Sequence, residues 1–146
     1  MSLTDTLVRD SETIINDALE LLRCQHLRSY EKDGEPIVRQ RMTRLFELLL
    51  RAVVERNSDT VAGYARTLGR ERFAAGYELF EVQRAVNVFE ETLWRHLRSL
   101  SEPAEFARSI GLVSMVLGLA KDMLAQTYVA LASRTRAASL DVRALG

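Results

Sequence analysis

The chain has 146 residues and a mass of 16.5 kDa, a length that fits one domain and allows about 70% of the unfolded surface to be buried around a single core. With 47% hydrophobic residues, 2 prolines and 7 glycines, the composition excludes disordered and collagen-like chains. Twenty basic residues balance twenty acidic ones, which excludes a global field drawing the protein to nucleic acid or anionic lipid. Eighteen of the cations are arginine, most of them set among acids on helix faces. The lone Cys24 has no disulfide partner within the chain, which fits a reducing cytoplasm, and it is expected to be a core thiol. The longest uncharged run, Ser109 to Ala120, is twelve residues, short of the roughly 20 needed to span a bilayer. The N-terminus lacks the apolar stretch of a signal peptide, and a cytoplasmic location is expected.

Five segments carry helical periodicity and none alternates as a strand does, so an all-α domain is expected, either a single bundle or a globin-like arrangement spanning residues 1–146. The first helix is predicted from about Thr4 to Leu27, with Leu7, Ile14, Ile15, Ala18, Leu19 and Leu22 on one stripe. The polar stretch Ser29 to Pro36 reads as a loop. A second helix, Ile37 to Arg56, is nearly apolar all round from Leu45 to Val54. Asn57-Ser58-Asp59 supplies N-cap candidates for a third, Thr60 to about Ala75. Gly76 stands where a left-handed C-terminal cap belongs, so the chain turns there into a fourth helix, Glu78 to Leu100. Ser101-Glu102-Pro103 separates it from the fifth.

That fifth helix has the most regular seam, with Phe106, Ile110, Val113, Leu117, Ala120, Leu124, Thr127 and Leu131 spaced by threes and fours. Beside the seam runs a row of small residues, Ala107, Gly111, Ser114 and Gly118. Helical glycines are costly unless a neighbour uses the missing side chain, so either a tight internal crossing or a homodimer interface is expected there. Beyond Ser133 the sequence is weakly amphipathic and reads as a frayed tail or a lead into a further domain.

Catalytic signatures are absent: no phosphate-binding glycine loop, no Gly-x-Ser-x-Gly and no His-Glu-x-x-His. The chain is therefore expected not to be an enzyme and to need no cofactor or metal. The acid pairs Glu78/Glu81 and Glu90/Glu91 face arginines at helical spacing, Arg84 from Glu81 and Arg95 and Arg98 from Glu91, and are expected to be solvated ion pairs. Neither histidine follows a glutamate by three positions, which removes a ferritin-like di-iron motif. His26 and His96 are placed near helix C-termini, where an imidazolium is favourable. His96 remains a weak candidate for two sharper roles, haem ligation in a globin-like sensor and phosphoacceptance in a histidine phosphotransfer protein. Arg39, Arg41 and Arg44 at the start of the second helix would give nucleic acid only weak, salt-sensitive binding.

The stretch from about Glu55 to Leu100 resembles the N-terminal domain of stressosome co-antagonist proteins of the RsbR and RsbRD type. The matching residues are Arg72-x-x-x-Gly76-x-x-Leu79-x-Glu81-Val82 followed by Leu93-Trp94-x-x-Leu97, with Asn57-Ser58-Asp59 ahead of them. In physical terms Gly76 makes a helical corner, Arg72 and Glu81 flank it within reach of an ion pair, and Leu93, Trp94 and Leu97 anchor the next helix. The resemblance implies a non-catalytic sensory domain in bacterial signal transduction that is commonly dimeric and in some members globin-like without haem. It also implies a partner regulatory protein or an output domain. Such a domain acts by shifting helix packing, with Arg72, Gly76, Glu81 and Trp94 at the corner and the row from Ala107 to Gly118 as the contact face. Nucleic acid and membrane are not expected partners.

Overall fold

A computed structural model describes residues 2–57, 59–100 and 102–145, without the side chains of Leu100 and residues 136–145. The cap expected of Ser58 and the break expected at Ser101 lie outside the described residues. Within them the fold is all-helical, with seven helices: α1 Leu3–Arg9, α2 Ser11–Arg23, α3 Arg28–Asp33, α4 Glu35–Glu55, α5 Asp59–Ala74, α6 Leu79–Leu100 and α7 Pro103–Leu145. The two additional elements come from local features that periodicity does not register. At Asp10 the backbone leaves helical geometry, with φ −105° and ψ 15°, and divides the predicted first helix into α1 and α2. The predicted loop after Ser29 holds α3, a six-residue helix with no buried residue, which therefore carries no apolar stripe to read.

α7 is the spine. It packs along α5 and α6 and also touches α4, while α2 lies between α4 and α6. Of the expected seam, Ile110, Val113, Leu117, Ala120 and Leu124 are buried and Phe106, Thr127 and Leu131 half-buried; Tyr128, outside the expected seam, is buried beside them. α4 contributes Met42, Leu45, Phe46, Leu49 and Val53, and Phe46 meets Phe89 of α6 edge to face at 6.2 Å. By length and composition the stretch Pro103–Thr135 is apolar enough to cross a membrane, a property hidden when only uncharged runs are counted. In this fold its seam is used against α5 and α6. α7 is helical as far as Leu145, where a frayed tail was one expectation.

The α5–α6 corner forms as the glycine predicts. Gly76 has φ +84°; its N–H donates to Phe73 O at 3.1 Å and that of Tyr77 donates to Arg72 O at 3.0 Å. This pair of bonds is a Schellman closure. Asn57 Oδ1 accepts from Asp59 N at 2.9 Å at the start of α5.

Close approach occurs at a glycine outside the expected row. A Cβ built on Gly69 of α5 would lie 3.0 Å from Thr127 Cγ2 of α7, whereas Gly111 and Gly118 would meet nothing within 4 Å. The expected tight internal crossing at Gly111 and Gly118 is thus corrected: α7 turns them away from α5 and α6, and the notch is on the partner helix. Gly69→Val is expected to lower unfolding free energy by about 2 kcal/mol through overpacking, while Gly63→Ala, where a Cβ also meets nothing, gains about 1 kcal/mol from helix propensity. Urea denaturation of both variants checks the contrast.

Candidate functional site

The corner between α5 and α6 gathers the most buried polar side chains. Glu81 is only 4% exposed. It stands at the third position of α6, and its Oε1 accepts from Glu78 N at 3.2 Å, half of a capping box on its own helix. The same carboxylate accepts from Ser29 N at 2.8 Å and from Ser29 Oγ at 2.9 Å. One side chain thereby caps α6 and ties down the first turn of α3, 52 residues away in sequence. Two expectations for Glu81 are corrected. It is not a solvated partner of Arg84, and the arginine across the corner does not claim it.

Arg72 is also buried, at 7% exposure. Its nearest carboxylate is the exposed Glu71, 3.9 Å away, so the ion pair expected between Arg72 and Glu81 is replaced by two separate arrangements. The Arg72 guanidinium lies 5.7 Å from the centre of the Tyr77 ring, and that of Arg41 lies 5.2 Å from it. Burial, and then the neighbouring Arg41 charge, lower the pKa of Arg72, yet an arginine stays cationic at neutral pH. Arg41 bonds Asp33 Oδ2 at 2.5 Å and also the Tyr77 hydroxyl. Tyr77 meets Tyr30 edge to face at 5.2 Å, and its carbonyl accepts from the Tyr128 hydroxyl at 2.9 Å. Burial pushes the Tyr128 hydroxyl up to about 12 and the Tyr30 hydroxyl higher than its usual range, so both are neutral at physiological pH and Tyr128 is a donor.

Of the other predicted residues, Trp94 is 42% exposed and stacks edge to face on Phe106 at 5.1 Å. Leu93 and Leu97 provide the burial instead. Ala107 and Gly111 are exposed, and Ser114 and Gly118 half-buried, so the row sits on the outer flank of α7, apart from the corner. Glu91 and Arg95 form the expected surface pair at 2.7 Å. Cys24 is exposed, not a core thiol, because α2 ends at Arg23 and the chain turns outward. His26 lies beyond that helix end with φ +53° and its Nδ1 is 3.0 Å from Glu31.

His96 Nε2 is 2.8 Å from Asp10 Oδ2, joining α6 to the α1–α2 break. Metal ligation or phosphorylation at Nε2 would first have to separate that pair. Among the described residues no group of three or more His, Cys, Asp or Glu is placed to hold a metal ion. Sequence reasoning missed Ser29, Tyr77, Asp10 and Gly69, since each acts through a partner distant in the chain. Only Tyr77, directly after the corner glycine, had a local signal.

The chain belongs to the family of the RsbT co-antagonist protein RsbRD N-terminal domain, whose family model matches residues 12–144. This is a stressosome-type signalling input domain, regulatory in character, and the sequence resemblance around Arg72, Gly76 and Glu81 extends over nearly the whole chain. No curated protein and no solved structure matches it.

Glu81→Ala leaves Ser29 N, Ser29 Oγ and Glu78 N without their acceptor and is expected to cost about 3 kcal/mol. Ser29→Ala removes one bond and costs about 1 kcal/mol; the double variant should fall short of the sum in urea denaturation. The hydrogen bond from Arg9, followed by that from His96, holds the Asp10 carboxyl well below the usual carboxylate range. Its stabilising contribution is therefore complete above about pH 4 and is lost as pH falls below that value. Asp10→Asn should flatten the acid limb of a stability–pH profile measured by thermal denaturation.

Proposed function

We propose that the chain is a single cytoplasmic input module that relays a signal to a partner regulatory protein or output domain through a change in helix packing. The family match across residues 12–144 carries this reading. A packing switch requires two arrangements for which an effector or partner has different affinity. The corner suits such a role because Arg72, Gly76 and Glu81 set how α6 leaves α5, and α6 lies along α7.

Two copies meet, in this proposal, along the flank of α7 defined by Ala107, Gly111, Ser114 and Gly118. Open space above Gly111 and Gly118 admits a second backbone at short range, which is what small residues on a helix allow. Met115 at 65% exposure and Trp94 at 42% supply apolar surface near the same flank. Arg39, Arg41 and Arg44 do not form a nucleic-acid face in this reading, because Arg39 is 3.6 Å from Glu35 and Arg41 is turned towards Asp33 and Tyr77.

Light scattering across a concentration series tests the proposal. The wild-type chain is expected to reach twice its monomer mass. The Gly111→Arg/Gly118→Arg double variant is expected to remain monomeric with an unchanged helical circular dichroism spectrum. A wild-type chain that stays monomeric at the highest concentration would remove the dimer from the mechanism.

A further inference from the structure

A groove of about 500 Å³ runs between α4 and α5, and Arg41, Arg44 and Arg72 line it together with Tyr64, Gln40 and Glu71. Arg72 is the residue that needs explaining. Its side chain is only 9% exposed, and among the described residues its guanidinium donates no hydrogen bond; the Glu71 contact at 3.9 Å is beyond hydrogen-bond range. Every fully enclosed side-chain nitrogen or oxygen among the described residues has a hydrogen-bond partner, so the unbonded Arg72 nitrogens reach the groove, where the cation has no bonded counter-charge and an anion can approach it. Nor does the Tyr77 ring compensate fully, because Arg41 shares it and the two guanidinium groups repel.

Arg41 is anchored by Asp33 on one side and lines the groove on the other. Arg44, three residues along α4, falls on the same helix face, is exposed, and has no carboxylate within 4.0 Å among the described residues. With Asp33 bonded to Arg41, three arginines face two carboxylates, Glu71 and Asp33, and a net positive charge remains. Arg41, Arg72, Tyr64 and Leu68 also line a small void of about 30 Å³ on the core side, so an occupant of the groove is backed by the core wall.

We propose that this groove binds a small molecule bearing an oxyanion, a phosphate or a carboxylate, held by the guanidinium fork of Arg72 with Arg44 beside it, while Arg41, whose Nη1 is committed to Asp33 and Tyr77, forms part of the wall. Guanidinium groups suit such oxygens because two parallel N–H donors match the geometry, and the volume fits a metabolite-sized ligand. The groove opens next to the α5–α6 corner, so an anion there draws on Arg72 and bears on Tyr77. As an effector site it rests on the input-module reading; as an anion site it stands on the arginines alone.

The test uses the full chain titrated calorimetrically with inorganic phosphate, pyrophosphate and citrate, each against sodium chloride of equal ionic strength. Saturable binding at one site per chain is expected for at least one probe, accompanied by a rise in thermal midpoint. Pyrophosphate against citrate then distinguishes phosphate from carboxylate chemistry. Arg44→Gln, an exposed substitution, is expected to weaken binding about fivefold and Arg72→Lys, which keeps the charge but loses the fork, about tenfold. Absence of saturable binding up to about 10 mM, or binding that Arg44→Gln leaves unchanged, overturns the site whether or not Arg72→Lys folds. Light scattering of the saturated chain separates the two readings: binding without any change in assembly supports the site and counts against its role as effector, while a dimer that binds no probe overturns the site alone.

Discussion

The joint between α3 and α6 depends on one carboxylate. Glu81 accepts from three donors at the starts of two helices, and α3 has no fully buried residue, only the partly buried Tyr30 against the core. A helix of six residues is unstable alone because nucleation costs more than so few bonds return. Its place against the corner is secured by the Tyr30–Tyr77 ring contact and by polar contacts at both ends, Glu81 on Ser29 and Arg41 on Asp33. Because Arg41 belongs to α4 and Glu81 to α6, the short helix ties these two longer elements together.

Around that carboxylate the cations and rings divide the remaining work. Tyr77 sits where α5 ends, its ring between two guanidinium groups and its carbonyl bonded to Tyr128 of α7. A shift in any of α4, α5 or α7 disturbs a contact to this one residue. The corner is thus a place where several helices share a common point of reference.

How much the sequence discloses follows from the range of each interaction. The all-helical fold and the α7 seam are legible because burial and the 3.6-residue period coincide over many turns. Gly76 is legible because a left-handed cap is a local requirement. Asp10 looks like an ordinary helical residue until His96, 86 positions away, comes beside it. Glu81 lies near Arg72 in sequence, which suggests a pair, yet its position at the start of α6 directs it back to Ser29. Residue type alone misplaces Cys24 and Trp94, since both depend on where a helix ends or which face is left uncovered. The glycines of α7 have the composition of a crossing, but only the three-dimensional arrangement identifies Gly69 as the one that is used.

Gly69 also constrains motion. Thr127 fits where a side chain is missing on α5, and one turn to either side, about 5.4 Å away, stand Ala65 and Phe73, which have the Cβ that Gly69 lacks. Sliding α7 lengthwise would drive the threonine methyl out of its recess and into those atoms, so the joint acts as a key that fixes axial register. α5 and α7 are thereby held in one axial register.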